Sequence, residues 1–266
     1  MAVLAVLSRL LPAAFILLAL GSTPSPGVFG GKAARDGDPL AKSVAAILYR
    51  DDTGAHLCTA VALGPKLLLT AAHCTVGDRS AIKVIFGTTL SDVGNDRIRS
   101  VAAVARAGKT SAAKGRYAYQ DPDDLALVVL GSGAPGGMRY ARITDSPPAP
   151  TAVTIIGYGA TSELRKPNNL GQRQLGFDGI LRVASVPVSK VDAALLVGNQ
   201  GQGAGACTGD SGGPALVSGV VVGILIGVSS PRTNNDYCRG TAWFANLARW
   251  RDWIHATAGD LGQPLN

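Results

Sequence analysis

A serine lies in a glycine-rich stretch, GDSGGP at 209–214, where the surrounding residues can make it nucleophilic. Glycines on both sides let the backbone turn tightly and approach a substrate closely. Such a turn can direct the N–H groups of Gly209 and Ser211 at a carbonyl oxygen that is becoming an oxyanion. The pattern therefore predicts a nucleophilic Ser211, provided that other residues supply a base and an orienting carboxylate.

Candidates for the base and the carboxylate lie upstream. His73 ends the run LTAAH at 69–73 and is followed by Cys74, and Asp124 is the second carboxylate of DDLAL at 123–127. In the order His, Asp, Ser, these three segments resemble the trypsin/chymotrypsin family of serine proteases. The resemblance implies that His73 is the general base, that Asp124 orients it, and that Ser211 is the nucleophile of a serine endopeptidase. The N–H groups of Gly209 and Ser211 would then form the oxyanion hole.

Two alternatives to these assignments are open. Asp123 rivals Asp124 because the two are adjacent, but the family places its carboxylate directly before an apolar run, which here begins at Leu125. His56 and His255 lack the AAHC context of His73, so we expect them to be structural or to face solvent.

The elements that must position these residues are mostly strands. Short apolar runs bounded by Gly, Pro, Asn or Asp predict strands at 43–49, 66–71, 82–86, 125–130, 153–156, 180–186 and 220–228. The segment 145–150 is proline-rich and is interpreted as an extended connector. The resemblance implies an all-β fold of two six-stranded antiparallel β-barrels, at about 28–144 and 151–246. A C-terminal helix at about 247–258 follows from helical spacing of apolar residues, with Asn246 as its N-cap.

Four cysteines form an even set in a chain that the N-terminus marks for export, which favours disulfides. Four cysteines permit three pairings, and the residues alone do not choose between them. The resemblance implies the pairs Cys58–Cys74 and Cys207–Cys238, which would brace the site. A zinc site is disfavoured because the sequence has no Cys-x-x-Cys or His-x-x-x-His spacing.

The N-terminus predicts export and processing. Arg9 precedes an apolar run that ends at Leu20, so residues 1–21 are interpreted as a signal peptide. An uncleaved membrane anchor is the alternative. Residues 22–27 would be a short propeptide, and residues 28–266 the protease domain of a secreted zymogen. The residue before Val28 is Gly27, not the Arg or Lys usual in the family, so either another protease removes residues 22–27 or signal cleavage generates the active end directly. We hypothesise a non-tryptic activating enzyme.

Asp210 is expected to be structural. The resemblance implies that it pairs with the new N-terminal ammonium, here that of Val28, and that this ion pair shapes the oxyanion hole. Either charge alone would be costly in the protein interior.

Three positions predict the preference of the substrate pocket. By the resemblance, Gly205 forms the pocket floor, Ala206 follows it, and Val228 lies on the pocket wall. A floor without a carboxylate disfavours cleavage after Arg or Lys, and a branched wall residue narrows the pocket. We expect cleavage after small or medium apolar residues such as Ala, Val or Leu, with an aromatic preference as the alternative.

Two departures from the family, Gly27 before the expected N-terminus and Ile226, argue for weaker catalysis. Ile226 occupies the position of a serine that usually supports the triad aspartate. A catalytically weak or inactive protease-like binding module is therefore the alternative to an active enzyme. An esterase is disfavoured, because its triad usually runs in the order Ser, Asp, His.

Bulk properties restrict the partners. The formal net charge is +7, or +6 without the single charge, Arg9, of residues 1–27. This charge can maintain solubility, or it can attract acidic glycans or envelopes. Because Arg and Lys are scattered, nucleic-acid binding is not expected. We expect protein or peptide substrates, protein inhibitors, a monomer, and no stable membrane association. No metal or cofactor is expected, and Asp92 and Asp96 have poor spacing for calcium.

Overall fold

A computed structural model describes residues 28–52, 54–108, 121–143, 150–164, 174–201, 203–229 and 237–265. In chain order, the first eight strands are β1 (Lys32–Ala33), β2 (Val44–Asp51), β3 (Gly54–Ala62), β4 (Leu67–Thr70), β5 (Lys83–Ile85), β6 (Ile98–Ala107), β7 (Leu125–Leu130) and β8 (Arg142–Ile143). They are followed by β9 (Ala152–Gly157), β10 (Ser162–Leu164), β11 (Gln174–Gly176), β12 (Arg182–Val191), β13 (Leu195–Asn199), β14 (Pro214–Val217), β15 (Val220–Ser229) and β16 (Thr241–Asn246). The helix α1 spans Leu247–Asp260.

The first barrel is closed by six antiparallel strands in the order β2-β3-β4-β7-β6-β5, with β5 pairing back to β2. Its core is built from continuous apolar runs, such as β7, in which all six residues are buried. A strand that is apolar on both faces fits this position, because one face fills the barrel and the other packs against neighbouring elements.

The second barrel has six strands in the order β9-β12-β13-β16-β15-β14, and β14 pairs back to β9. Two short strands extend this barrel: β1 pairs with β12, and β8 runs parallel to β15. The range 28–144 expected for the first barrel therefore includes two strands that pair with the second. β10 and β11 form a separate antiparallel hairpin.

Tyr158 connects the two barrels. It directly follows β9 of the second barrel, it is 1% exposed, and its hydroxyl donates to the carbonyl of Gly87 in the first barrel over 2.7 Å. Burial raises the pKa of this phenol, so the hydroxyl remains a donor. The contact fixes one barrel against the other.

The C-terminal helix agrees with the sequence prediction. The side chain of Asn246 caps α1 by accepting from the N–H of Ala248 over 3.1 Å. Leu247, Ile254 and Ala258 form its buried face. Among the described residues, no helix combines the length and apolar character that a membrane crossing requires. The expected signal peptide and propeptide, and 145–149 of the expected connector, lie outside the described residues.

Candidate active site

His73 and Asp124 meet because of strand pairing in the first barrel. β4 ends at Thr70, which pairs with Ala126 near the start of β7. A short 3₁₀ turn, Ala72–Thr75, then carries His73, while Asp124 directly precedes β7. Residues that are far apart in sequence are thus placed side by side by the register of two antiparallel strands.

The carboxylate of Asp124 binds His73 at two points. One oxygen accepts from the backbone N–H of His73 over 2.8 Å, and the other lies 2.5 Å from Nδ1 of the imidazole. A carboxylate only accepts hydrogen bonds, so the proton lies on Nδ1 in the neutral ring and Nε2 carries the lone pair. Asp124 is 6% exposed, which strengthens the contact.

Asp123, the alternative carboxylate, lies elsewhere. Its Oδ1 accepts from Arg249 of α1 over 3.1 Å, and both side chains are well exposed. His56 also lies away from this pair: its Nε2 contacts Asp51 at 2.7 Å and its ring stacks on Tyr49. The structure therefore brings His73 to Asp124, whereas Asp123 and His56 each contact other residues.

Ser211 lies on a turn fixed from both sides. The carbonyl of Ser211 accepts from the N–H of Thr59 in β3 over 2.8 Å. Gly212 donates to the carbonyl of Leu225 in β15 over 2.7 Å. Gly212 has a φ of +81°, and a Cβ there would lie 2.0 Å from Oγ1 of Thr70, so only glycine fits. The turn thus packs against the strand that leads to His73.

The N–H groups of Gly209 and Ser211 each point away from the carbonyl of the preceding residue, and each of these carbonyls accepts a hydrogen bond. In a trans peptide the N–H and the preceding C=O point in opposite directions. The carbonyl before Gly209, that of Thr208, accepts from Ala160 over 2.7 Å, and the carbonyl before Ser211, that of Asp210, accepts from Gly213 over 2.9 Å. Within the described part of the chain, neither N–H donates to a protein acceptor. That both bind a substrate oxygen stays a prediction.

Two disulfides flank these segments, with the pairing that the resemblance implies. Cys58 of β3 is bonded to Cys74, the residue after His73, with Cα atoms 5.9 Å apart. Cys207, four residues before Ser211, is bonded to Cys238, with Cα atoms 4.8 Å apart. Among the described residues, one group has metal-ligand proximity, Cys58, His73 and Cys74. Its two sulfurs are consumed by the disulfide, so it offers no thiolates.

Asp210 is buried beneath the nucleophile turn at 3% exposure. Its carboxylate accepts from the N–H of Gly159 over 2.8 Å and from the N–H of Cys207 over 2.9 Å. Burial raises its pKa to about 7, although these two hydrogen bonds oppose the shift. Val28 is also buried, at 1% exposure. In the uncleaved chain its nitrogen belongs to the peptide bond with Gly27 and carries no charge, so the expected ion pair stays a prediction.

The three positions expected to form the pocket are all buried. Gly205 is held by its N–H, which donates to the carbonyl of Phe29 over 2.8 Å, and Ala206 and Val228 pack into the apolar cluster of the second barrel. A Cβ on Gly205 would lie 2.6 Å from Cδ of Gln200. The floor position thus has no room for a larger residue while Gln200 stays in place.

Ile226 lies at an irregularity in the pairing of β15 with β16, between Leu225 and Gly227. It is 3% exposed and belongs to the large apolar core. Its side chain has no hydroxyl to donate to Asp124, as the sequence indicates.

A family model described as Trypsin matches residues 28–254. The chain belongs to the trypsin family. It is 31% identical to a trypsin of Saccharopolyspora erythraea over 209 residues, which are 72% of this chain and 85% of that protein. This chain is therefore a serine protease, of the serine endopeptidase class.

Two solved structures share the trypsin-family fold of this chain. The scabies mite inactivated protease paralogue S-I1 aligns with a TM-score of 0.64 and 17% identity, over 86% of this chain and all of that one. The human heparin binding protein aligns with a TM-score of 0.64 and 20% identity, over 89% and 97% of the two chains. At these identities the likeness concerns the fold alone.

Two buried polar residues at this trypsin-family site escaped the sequence reasoning, Thr59 and Gln200. Gln200 is 1% exposed; its Oε1 accepts from the N–H of Ala206 over 2.5 Å, and its Nε2 donates to the carbonyls of Ala206 and Cys238 over 3.1 and 3.3 Å. It thereby ties Ala206 of the expected pocket to Cys238, the disulfide partner of Cys207. A lone polar residue in a glycine-rich run gave no signal, because its partners become visible only in three dimensions.

Proposed function

We propose that this protein is a secreted serine endopeptidase that cleaves through an acyl-enzyme, with His73, Asp124 and Ser211 as its triad. The observation that carries the proposal is the double contact of the Asp124 carboxylate with His73, at its backbone N–H and at Nδ1. This contact leaves Nε2 as the basic atom of the ring. The Ser211 turn supports the proposal, because Thr59 binds its carbonyl and directly follows Cys58, whose disulfide leads to the residue after His73.

The proposed reaction follows from these positions. Ser211 Oγ attacks the substrate carbonyl while Nε2 of His73 takes its proton, and Asp124 stabilises the resulting imidazolium. The N–H groups of Gly209 and Ser211 bind the oxyanion. His73 then returns the proton to the leaving amine, and water releases the acyl group by the same steps in reverse order.

Cleavage before Val28 is the proposed activating event. A free ammonium at Val28 would supply a cation for the buried carboxylate of Asp210, which lies in the turn that carries both oxyanion N–H groups. The raised pKa of Asp210 supports this, because burial disfavours its charged form more than two backbone hydrogen bonds and the charge of Arg182 favour it, and a further cation would restore the charge. Residues 1–21 would be the signal peptide, and 22–27 the segment removed by a non-tryptic enzyme.

The proposed preference is for Ala, Val or Leu before the cleaved bond. Gly205 has no carboxylate that could pair with a basic side chain of the substrate. Gln200 packs so closely against Gly205 that a residue with a carboxylate does not fit at this position. Buried Val228 narrows the wall. Because one methylene in such a pocket is worth about 1–3 kcal/mol, the preference is graded. Aromatic residues are the second choice.

The competing function is a protease-like binding module with little or no catalysis. Ile226 favours it, because the triad aspartate then lacks one side-chain donor. The chain keeps all three triad residue types, and this argues for the enzyme. Protein or peptide substrates are expected in the first case, and a protein ligand without turnover in the second.

A panel of peptide substrates that differ in the residue before the cut tests these proposals. The protein beginning at Val28 should cleave after Ala, Val or Leu, and its Ser211→Ala variant should cleave nothing. Cleavage after Arg or Lys would retain the triad and overturn the pocket assignment. If folded protein with the correct N-terminus cleaves nothing and does not react with a fluorophosphonate, the binding module replaces the enzyme.

A further inference from the structure

Thr59 is a buried polar residue that the proposed reaction does not use. It lies in the middle of β3, in the first barrel, where it pairs with Ala46 of β2, and it is 0% exposed. A buried hydroxyl is stable only when it is hydrogen-bonded. The partners of Thr59 therefore indicate what the residue does.

Its polar atoms bind Gly209 and Ser211 of the expected oxyanion hole, and also Tyr158 and Thr70. Its hydroxyl donates to the carbonyl of Gly209 over 3.0 Å and accepts from the N–H of Tyr158 over 3.2 Å. Its N–H donates to the carbonyl of Ser211 over 2.8 Å, and its own carbonyl accepts from the hydroxyl of Thr70 over 2.8 Å. One residue of the first barrel thus binds both residues of the expected oxyanion hole, which belong to the second barrel.

The hydroxyl acts on a backbone that is otherwise easy to rotate. Gly209 has a φ of +97° and no side chain, so its two flanking peptide planes have little intrinsic preference. The plane before Gly209 is fixed by the bond from Ala160 to the carbonyl of Thr208. The plane after it carries the carbonyl that Thr59 binds. The same plane carries the N–H of Asp210, which donates to the carbonyl of Cys207 over 3.1 Å, so that without the hydroxyl this plane would keep one of its two described hydrogen bonds.

We propose that Thr59 is a positioning residue for the oxyanion hole, whose hydroxyl fixes the Gly209 peptide across the boundary between the barrels. The proposal rests on the proposed serine endopeptidase function. Thr59 does not touch the substrate; it acts by holding the Gly209–Asp210 peptide, which lies between the two peptides that carry the N–H groups of Gly209 and Ser211. Its removal should therefore weaken stabilisation of the oxyanion more than it weakens binding of the ground-state substrate.

Thr59→Val tests this, because valine keeps the branched shape and removes the hydroxyl. The full chain is expressed, its secreted product is checked for its N-terminus, and active sites are counted with a fluorophosphonate. We expect kcat to fall by about 10-fold with KM changed less than about 2-fold, a smaller loss than removal of an oxyanion donor causes. Thr59→Ser retains the hydroxyl and should stay within about 2-fold of the wild-type kcat.

A second readout separates positioning from general loosening. A peptide aldehyde forms a tetrahedral adduct with its oxygen in the oxyanion hole, whereas a peptide amide of the same sequence binds without one. Thr59→Val should weaken the aldehyde by about the factor lost in kcat and leave the amide nearly unchanged. Ser43→Ala is the matched control: it removes another buried hydroxyl of the first barrel, which bonds only the carbonyl of Leu40 among the described residues, and should leave both inhibitors unchanged.

The outcomes are distinguishable. Equal weakening of the aldehyde and the amide, or an unchanged kcat in Thr59→Val, would overturn the role of Thr59 while the enzyme stands. Failure of Thr59→Ser to restore kcat would also overturn it. If the wild-type protein neither cleaves peptides nor reacts with the fluorophosphonate, the proposed function itself fails.

Discussion

The carboxylate of Asp210 makes the uncleaved chain sensitive to pH. Its pKa is raised by burial to about 7, compared with 3.8 for an exposed aspartate. Between about pH 4 and pH 7, the folded chain therefore retains a proton that the unfolded chain has released. The free energy of unfolding falls as pH rises through this window, and it levels off above the folded-state pKa.

Asp210→Asn should remove this dependence. Both proteins are compared in the uncleaved Ser211→Ala background. Between pH 4 and pH 7, the free energy of unfolding of the protein with Asp210 should fall by on the order of 4 kcal/mol more than that of the Asp210→Asn variant. Urea unfolding at several pH values measures it. Parallel pH profiles for the two proteins would contradict the raised pKa. A chain processed to begin at Val28 should lose most of the difference, because an ammonium would favour the charged carboxylate.

Gly205→Asp should not convert the pocket to cleavage after Arg or Lys. The new Cβ would lie 2.6 Å from Cδ of Gln200, and burial at this position would disfavour the charged carboxylate. We expect a loss of more than about 2 kcal/mol in stability and no activity on basic substrates. Thermal unfolding and the peptide panel measure both effects.

Gly203→Asp is the matched control for that substitution. Gly203 is two residues away and exposed, and a Cβ there meets nothing within 4 Å. Its effect on stability should stay within about 0.5 kcal/mol. If Gly205→Asp were equally mild, or if it cleaved after Arg, the packing of Gln200 beneath the pocket would not restrict specificity.

At the scale of elements, helix α1 supports the loop that delivers Asp124. Nε1 of Trp250 donates to the carbonyl of Pro122 over 2.8 Å, whereas Arg249 pairs with Asp123 at the surface. Trp250→Phe should cost about 1 kcal/mol, because it leaves a partly buried carbonyl unpaired. Arg249→Ala should cost less than about 0.5 kcal/mol, because exposed ion pairs are weak. Chemical denaturation compares them, and the reverse ranking would show that the surface pair anchors the loop.

The strands differ in how readily the sequence predicts them. β7, with the sequence LALVVL, and β15 are long apolar runs rich in branched residues, and both were predicted with nearly the observed bounds. β3 and β6 were missed, because GAHLCTAVA and IRSVAAVARA are rich in alanine and polar residues with low intrinsic preference for strands. Their pairing partners on both sides in the closed barrel decide their conformation.

The same limit applies to the site. The motifs around His73, Asp124 and Ser211 are local signals, so the sequence indicates the chemistry well. Thr59 and Gln200 have no local signal, since their partners lie up to 150 residues away, as for Thr59 and Gly209. Whether a polar residue is buried and satisfied is a property of the packed molecule, and single-sequence patterns do not contain it.

At the scale of the whole molecule, β1, which lies four residues after Val28, pairs with the second barrel. A protein that retains Gly27 ahead of Val28 should have a much lower kcat than one that begins at Val28, because an acylated nitrogen gives Asp210 no cation. Mass spectrometry of the secreted form and active-site titration of both proteins measure this. Full activity in a chain that begins at Ser22 would refute the requirement for a free Val28.

The pairing of β1 with β12 also delays completion of the fold during translation. Lys32 of β1 pairs with Val183, so β1 finds its partner only after some 150 further residues have been made. At about 5–20 residues per second, this takes roughly 8 to 30 seconds, during which the first barrel can close without it. A translation product that stops before β12 therefore contains His73 and Asp124 but lacks the strand with which its own β1 pairs. The nascent protease therefore lacks the pairing of β1 with β12 until most of the chain has been translated.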